Sequence, residues 1–135
     1  MEKIGIMLGG LLLIIVLFSG CTTTPDGDQT TGYTDVTAAE AKELIDTMAD
    51  LVIIDVSPSY DQGHLPGAVN YYLGDGSLDA AIPTLEMSVP YLVYCHVDSV
   101  AIQGAQKLVD AGFETVYRLE GNYQAWVDAG YPVEK

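Results

Sequence analysis

The stretch YLVYCHVDSVAIQGAQKLVDAG, Tyr91 to Gly112, decides the fold. Tyr91, Leu92, Val93 and Tyr94 favour extended backbone and carry no charge, the pattern of a strand buried on both faces of a parallel sheet. From Asp98 or Ser99 the period changes. Ala101, Ala105 and Leu108 recur at helical spacing with Ile102 and Val109 beside them, and Gly112 stands where a helix ends. Cys95 is thereby placed in a strand-to-helix turn. The unpaired N–H groups that begin a helix favour negative charge, so a thiolate there forms more readily than in water. The same position also suits a small buried apolar residue, the ordinary role of a free cysteine.

Working outward, Leu51 to Val56 is a second buried strand ended by Ser57-Pro58, and Val69 to Tyr72 and Thr115 to Leu119 are two more. Thr37-Ala38-Ala39-Glu40 is a capping box, followed by the apolar face Ala41, Leu44, Ile45 and Met48 of a first helix. Ser77 is placed to cap a short helix interrupted by Pro83, and Asn122 to Ala129 is a final helix packed through Tyr123, Trp126 and Val127 and closed by Gly130 and Pro132. Strands alternating with helices predict an α/β domain: a small parallel sheet with helices on both faces and its ligand site at the carboxyl ends of the strands. Cys95 lies at such an end. Arg118, the only arginine, falls near the end of the neighbouring strand, where it can support an anion or form a structural salt bridge.

The 135 residues allow one ordinary domain plus appendages. With 19 acidic residues against 5 Lys and Arg, the net charge is −14, which argues against nucleic acid and against a basic patch on anionic lipid. It also opposes approach of a small dianion, an effect that salt screens beyond about 10 Å. The two cysteines, Cys21 and Cys95, are not expected to pair, and no His/Cys cluster with ligand spacing implies a metal. No cofactor is expected.

Residues 1–20 read as a targeting segment: Lys3 in the leading region, Ile4 to Phe18 as an apolar run, Ser19 and Gly20 before Cys21. Phe18-Ser19-Gly20-Cys21 resembles a bacterial or archaeal lipoprotein signal, with Phe18 where the pattern usually has Leu. Cleavage before Cys21 would leave that residue N-terminal and lipid-modified. The competing reading is an uncleaved membrane helix, since about 17 apolar residues is near the lower limit for a span. Both place the domain outside the cytoplasm on a membrane tether. Thr22 to Gly32 has no apolar residue to bury, so residues 21–35 form the lipidated cysteine and a flexible linker, and residues 36–135 the domain.

The stretches DVS…GHLPGAVNY (Asp55 to Tyr71), VYCHVDS (Val93 to Ser99) and YRLEGNYQAWVDAGYPV (Tyr117 to Val133) together resemble a single-domain rhodanese, of the sulfurtransferase family. The resemblance implies a rhodanese-like fold in which Cys95 takes sulfane sulfur from a donor as a persulfide and hands it to a thiol acceptor. It implies a substrate-binding loop of His96, Val97, Asp98, Ser99 and Val100, and a packing role for His64 behind that loop. There are departures. Family members often have Gly third and Arg fifth after the cysteine, where this chain has Asp98 and Val100. Ser57 replaces an arginine that commonly follows the Asp-Val pair, which leaves Asp55 without that partner. Phosphatase-like relatives carry Arg at the sixth position, here Ala101, which disfavours phosphate or arsenate chemistry.

Asp98 bears on how active Cys95 can be. A unit charge about 5 Å away at an effective dielectric of about 20 is worth roughly 3 kcal/mol before screening, more than the usual helix-terminus benefit of about 1 kcal/mol. Pointed at the sulfur, Asp98 would suppress the thiolate; turned onto the helix N–H groups as an N-cap it would be harmless, and the preference of Asp for N-caps favours that arrangement. His96 can stabilise a thiolate as imidazolium, accept its proton as imidazole, or stand in the loop with no chemical role. Two functions follow: a monomeric, membrane-tethered sulfurtransferase, or a non-catalytic rhodanese-like module that binds a protein partner at the outer face of the membrane.

Overall fold

The computed structural model describes residues 32–135. The targeting segment, Cys21 and most of the linker lie outside the described residues. Within them the chain runs β1 (Thr34–Val36), α1 (Ala38–Thr47), β2 (Val52–Asp55), β3 (Val69–Asn70), α2 (Ser77–Ala81), β4 (Tyr91–Tyr94), α3 (Asp98–Asp110), β5 (Val116–Leu119) and α4 (Asn122–Asp128), with 3₁₀ turns at Tyr60–Gln62 and Ile82–Thr84. The strands form one five-stranded sheet of order β1-β5-β4-β2-β3, and every pairing is parallel. No helix among the described residues is long and apolar enough to cross a membrane.

β4 is the centre of the sheet, and its four residues are all buried, as an uncharged run with no alternation requires. Successive side chains point to opposite faces. Tyr91, Val93 and then Cys95 join one core with Ile54, Leu78, Ala101, Ala105 and Leu108, so α2 and α3 cover that face. Leu92 and Tyr94 join the other with Ala41, Leu65, Leu119 and Trp126, under α1 and α4. The chain leaving β4 therefore turns to one face of the sheet, and the chain leaving the adjacent β5 turns to the other. A crevice opens between such divergent exits at the carboxyl ends of the strands. Cys95 and Asn122 are the residues that stand there.

The local signals hold at α1. The Thr37 hydroxyl accepts the Glu40 N–H at 3.3 Å and the Glu40 carboxylate accepts the Thr37 N–H at 2.8 Å. Thr37's N–H, and then its hydroxyl, hold the Glu40 carboxyl below its ordinary pKa. Three expectations are corrected. Ser77 is the first residue of α2 rather than its cap: Gly76, at φ +85°, makes the left-handed turn into the helix, and the Asp75 carboxylate accepts the Ser77 N–H at 2.9 Å. The strand at Val69 ends at Asn70, because only Ile54 and Asp55 of β2 lie opposite it. β1 begins at Thr34, inside the stretch read as linker, and pairs Thr34 to Val36 with Tyr117 to Leu119. A three-residue edge strand has too little apolar pattern to be read from sequence.

Gly104 lets α3 lie close on the sheet. A Cβ there would stand 3.1 and 3.2 Å from the two methyl groups of Val56 and 3.4 Å from a methyl of Val93. Gly104→Leu is expected to lower unfolding stability by about 1 to 3 kcal/mol through overpacking, even though leucine is the better helix former. Urea denaturation checks this, and an unchanged midpoint would contradict the close approach.

Candidate active site

Cys95 follows β4 directly and is a free thiol, only 1% exposed. Its position is set from outside its own loop. The Cys95 N–H donates to Asn122 Oδ1 at 3.2 Å, and the Cys95 carbonyl accepts the N–H of Tyr123 at 3.0 Å. The first two residues of α4 thus hold both backbone groups of the cysteine. Asn122 itself is buried and sits in the left-handed region at φ 57°, a conformation that asparagine tolerates better than most residues. Its amide also donates to Asp98 Oδ1 at 2.9 Å, so one side chain joins the residue before the loop to the start of α3.

Burial pushes the Cys95 thiol pKa up. Hydrogen bonds from the Val97 and His96 N–H groups pull it down, and the nearby charge of Asp55 adds to the rise. The net shift is upward. The backbone cradle expected at a helix start is present, but it does not by itself outweigh the dry surroundings.

Asp98 takes neither of the two orientations read from sequence. The N-cap of α3 is Val97, with no side-chain cap, and Asp98 is the first helical residue. Its carboxylate turns to Arg118, whose Nη1 donates to it at 2.5 Å, while Arg118 Nε donates to Asp35 at 2.6 Å. The physical reason is the guanidinium: a buried arginine on β5 draws any carboxylate within reach, because a buried charge needs paired hydrogen bonds. Burial works against the charged form of Arg118, but Asp35 and then Asp98 outweigh it and hold its pKa above the usual arginine value. Arg118 therefore forms a structural double salt bridge, and the trio carries one net negative charge.

The expected five-residue loop is shorter in space. His96 and Val97 are loop residues, whereas Asp98, Ser99 and Val100 form the first turn of α3. Ser99 is exposed, and its carbonyl accepts the Gln103 side-chain amide at 3.2 Å. Val100 is half-buried against the core shared by α3 and the sheet. Val97 is 55% exposed, leaving an apolar side chain in solvent beside the buried thiol.

Asp55, at the end of β2, is fully buried. Its Oδ1 accepts the Ser57 N–H at 2.8 Å, so Ser57 closes a tight turn at the end of β2. Asp55 Oδ2 lies 3.9 Å from His96 Nε2, and neither atom has a hydrogen-bond partner. The His96 ring stacks on Tyr123 at 4.2 Å and 17°. Tyr94 is fully buried, its hydroxyl accepting the Leu65 N–H at 3.0 Å; burial and then the charge of Asp55 push its pKa up. His64 stacks on Tyr60 at 3.7 Å and exchanges backbone hydrogen bonds with Glu134, so it pins the C-terminal segment. Among the described residues no group of three or more His, Cys, Asp or Glu is arranged to hold a metal ion. A cavity of about 290 Å³ lined by Val36, Glu40, Glu43, Leu44, Thr47 and Tyr117 does not include Cys95.

Asn122 and Asp55 are the residues that sequence reading left without a role. Asn122 carried one usable signal, a residue tolerant of positive φ directly after Gly121 and at a helix start.

Residues 37–129 match the model of the rhodanese-like domain family. Thiosulfate sulfurtransferase GlpE from Vibrio cholerae is 36% identical over 103 residues, which are 76% of this chain and 93% of that protein. The crystal structure of the Alr3790 protein from Anabaena sp. superposes with a TM-score of 0.66 at 30% identity, over 73% of this chain and 90% of that one. That of a thiosulfate sulfurtransferase from Pseudomonas aeruginosa gives 0.65 at 25% identity, over 76% of this chain and 20% of that one.

Asn122→Ala removes one buried and one half-buried hydrogen bond and leaves a Cβ residue with no local polar support in the left-handed region. The expected cost is about 1 to 3 kcal/mol in denaturant unfolding, with faster alkylation of Cys95 by iodoacetamide as the loop loosens. Slower or unchanged alkylation in a folded variant would show that the clamp does not hold the thiol in.

Proposed function

The chain belongs to the rhodanese-like domain family, and on that footing we propose that it is a sulfurtransferase in which Cys95 carries sulfane sulfur as a persulfide. The observation that supports this most directly is the placing of Cys95: a free thiol at the divergent exits of β4 and β5, whose charged form the backbone N–H groups of Val97 and His96 favour. The Cys95 thiolate attacks the outer sulfur of a donor such as thiosulfate. The S–S bond of the donor breaks and sulfite leaves with its electron pair. A thiolate acceptor, or cyanide in an assay, then attacks the outer sulfur of the persulfide and releases the Cys95 thiolate. The two N–H groups stabilise the anion at each stage, as fixed dipoles in a dry site do.

Charge limits the rate with a dianionic donor. Arg118 is already bonded to two carboxylates and Val100 stands half-buried in the first turn of α3, so neither presents a cation to the loop. Loss of one charged stabiliser typically costs about 10² to 10³ in rate. Thiosulfate-to-cyanide turnover is therefore expected to be low but measurable, and absent in Cys95→Ala. Equal rates for the two proteins would remove Cys95 from the mechanism. Absence of both turnover and persulfide with any donor would favour the second reading, a non-catalytic module binding a protein partner, which the burial of the thiol supports.

The domain works, in this reading, outside the cytoplasm as a monomer tethered by a lipid on Cys21, since Phe18-Ser19-Gly20-Cys21 resembles a lipoprotein signal. The acidic surface keeps it off nucleic acid. Cys21→Ala is expected to block processing and release no lipidated N-terminus, which mass spectrometry of the membrane fraction reads; an unmodified Cys21 in the native protein would refute the tether.

A further inference from the structure

His96 Nε2 and Asp55 Oδ2 are both buried, both lack a hydrogen-bond partner and lie 3.9 Å apart, on the residue after Cys95 and on the end of the strand that pairs with β4. We propose that these two side chains form one charge pair, and that His96 is a positioning residue whose protonation offsets the charge of Asp55 and so sets the reactivity of Cys95.

The argument begins with the proton on Nε2. An unprotonated nitrogen would aim a lone pair at a carboxylate oxygen across 3.9 Å, two acceptors facing each other in a dry site. Nε2 therefore carries its proton toward Asp55, and Nδ1 is the nitrogen that gains or loses one. A carboxylate that fixes a histidine's tautomer in this way also holds its ring. Here the ring is held twice, because it stacks on Tyr123. Tyr123 is in turn seated against Gly63, where a Cβ would stand 2.1 Å from its hydroxyl oxygen. The glycine of Gly63-His64-Leu65-Pro66 thus reaches the site through one tyrosine.

The surrounding groups leave His96 as the ionisable side chain able to change the local charge. Asp55 faces it from β2, with its other oxygen bonded to the Ser57 N–H. Tyr94 from β4 and Tyr123 from α4 are phenols, and burial and Asp55 press Tyr94 further toward its neutral form. Tyr60, from the 3₁₀ turn, donates its hydroxyl to the Ala68 carbonyl. Asp35, Arg118 and Asp98 are tied to one another. Imidazole is the ordinary side chain that changes charge between pH 5 and 8. With His96 neutral, the Asp55 charge acts uncompensated on any anion at Cys95. With His96 protonated, the pair is neutral and the anion is easier to form.

This deepens the persulfide reading and rests on it only for its use; the test reads the thiol itself. The thiolate of Cys95 is titrated by its ultraviolet absorbance in the full mature chain, as the difference from the same protein carrying Cys95→Ala. In His96→Gln the thiolate midpoint is expected to move up, with about 3- to 10-fold less thiolate at neutral pH, and in Asp55→Asn it moves down by a similar factor. In the double variant the two changes are expected not to add, because each removes half of one interaction. A purely structural role predicts neither opposite signs nor non-additivity. Where Asp55→Asn fails to fold, His96→Gln alone decides, since its side chain is 21% exposed. A titration of His96→Gln that overlays the wild type overturns the proposal, whether or not the protein transfers sulfur; loss of sulfur transfer with the shift intact overturns only the function proposed above.

Discussion

The site depends on the side chain of one asparagine. Asn122 occupies a left-handed backbone position at the start of α4, and from there its amide accepts the N–H of Cys95 and donates to Asp98. The cysteine loop follows a strand on one side of the crevice and Asn122 follows a strand on the other. Without a bond across the divide, three residues between β4 and α3 would have only their own backbone to order them. With it, the carbonyl of Cys95 is also taken up by Tyr123, and the thiol is held among the N–H groups that precede α3. The left-handed geometry is what points the amide back across the crevice rather than along the helix.

Charge placement gives the crevice its character. The guanidinium on β5 is closed off between Asp35 and Asp98, and a fully buried carboxylate, Asp55, lies on the β2 side. Around the thiol the fixed positive field comes from backbone dipoles alone. Such a site tolerates an anion less well than one holding a free arginine: burial is the main cause that pushes the Cys95 thiol up, and the charge of Asp55 adds to it.

The arrangement of the strands explains why these groups meet at all. β4 lies between β2 and β5, so Asp55, Cys95 and Asn122 come from three strand ends that are neighbours in space and far apart in sequence. Short strands suffice, because each needs only to carry one residue to the carboxyl edge. The edge strand β1 adds Asp35 from the far side of β5, where it meets Arg118 across the ladder.

Much of this was readable from local pattern. The uncharged run Tyr91–Tyr94, the helical spacing of Ala101, Ala105 and Leu108, and the Thr37–Glu40 capping box are properties of consecutive residues, and periodicity together with the parallel-sheet rule was enough to put Cys95 at a strand end before a helix. The direction of Asp98 was not readable. A favoured N-cap lost to an arginine twenty residues away, because a buried guanidinium gains more from a carboxylate than a helix start does from a cap. Nor did sequence expose the pairing of His96 with Asp55, the bridge made by Asn122, or β1, each of which joins groups separated by tens of residues. Local preference decides which elements form; which side chains share a buried site depends on strand order, and only the folded chain contains it.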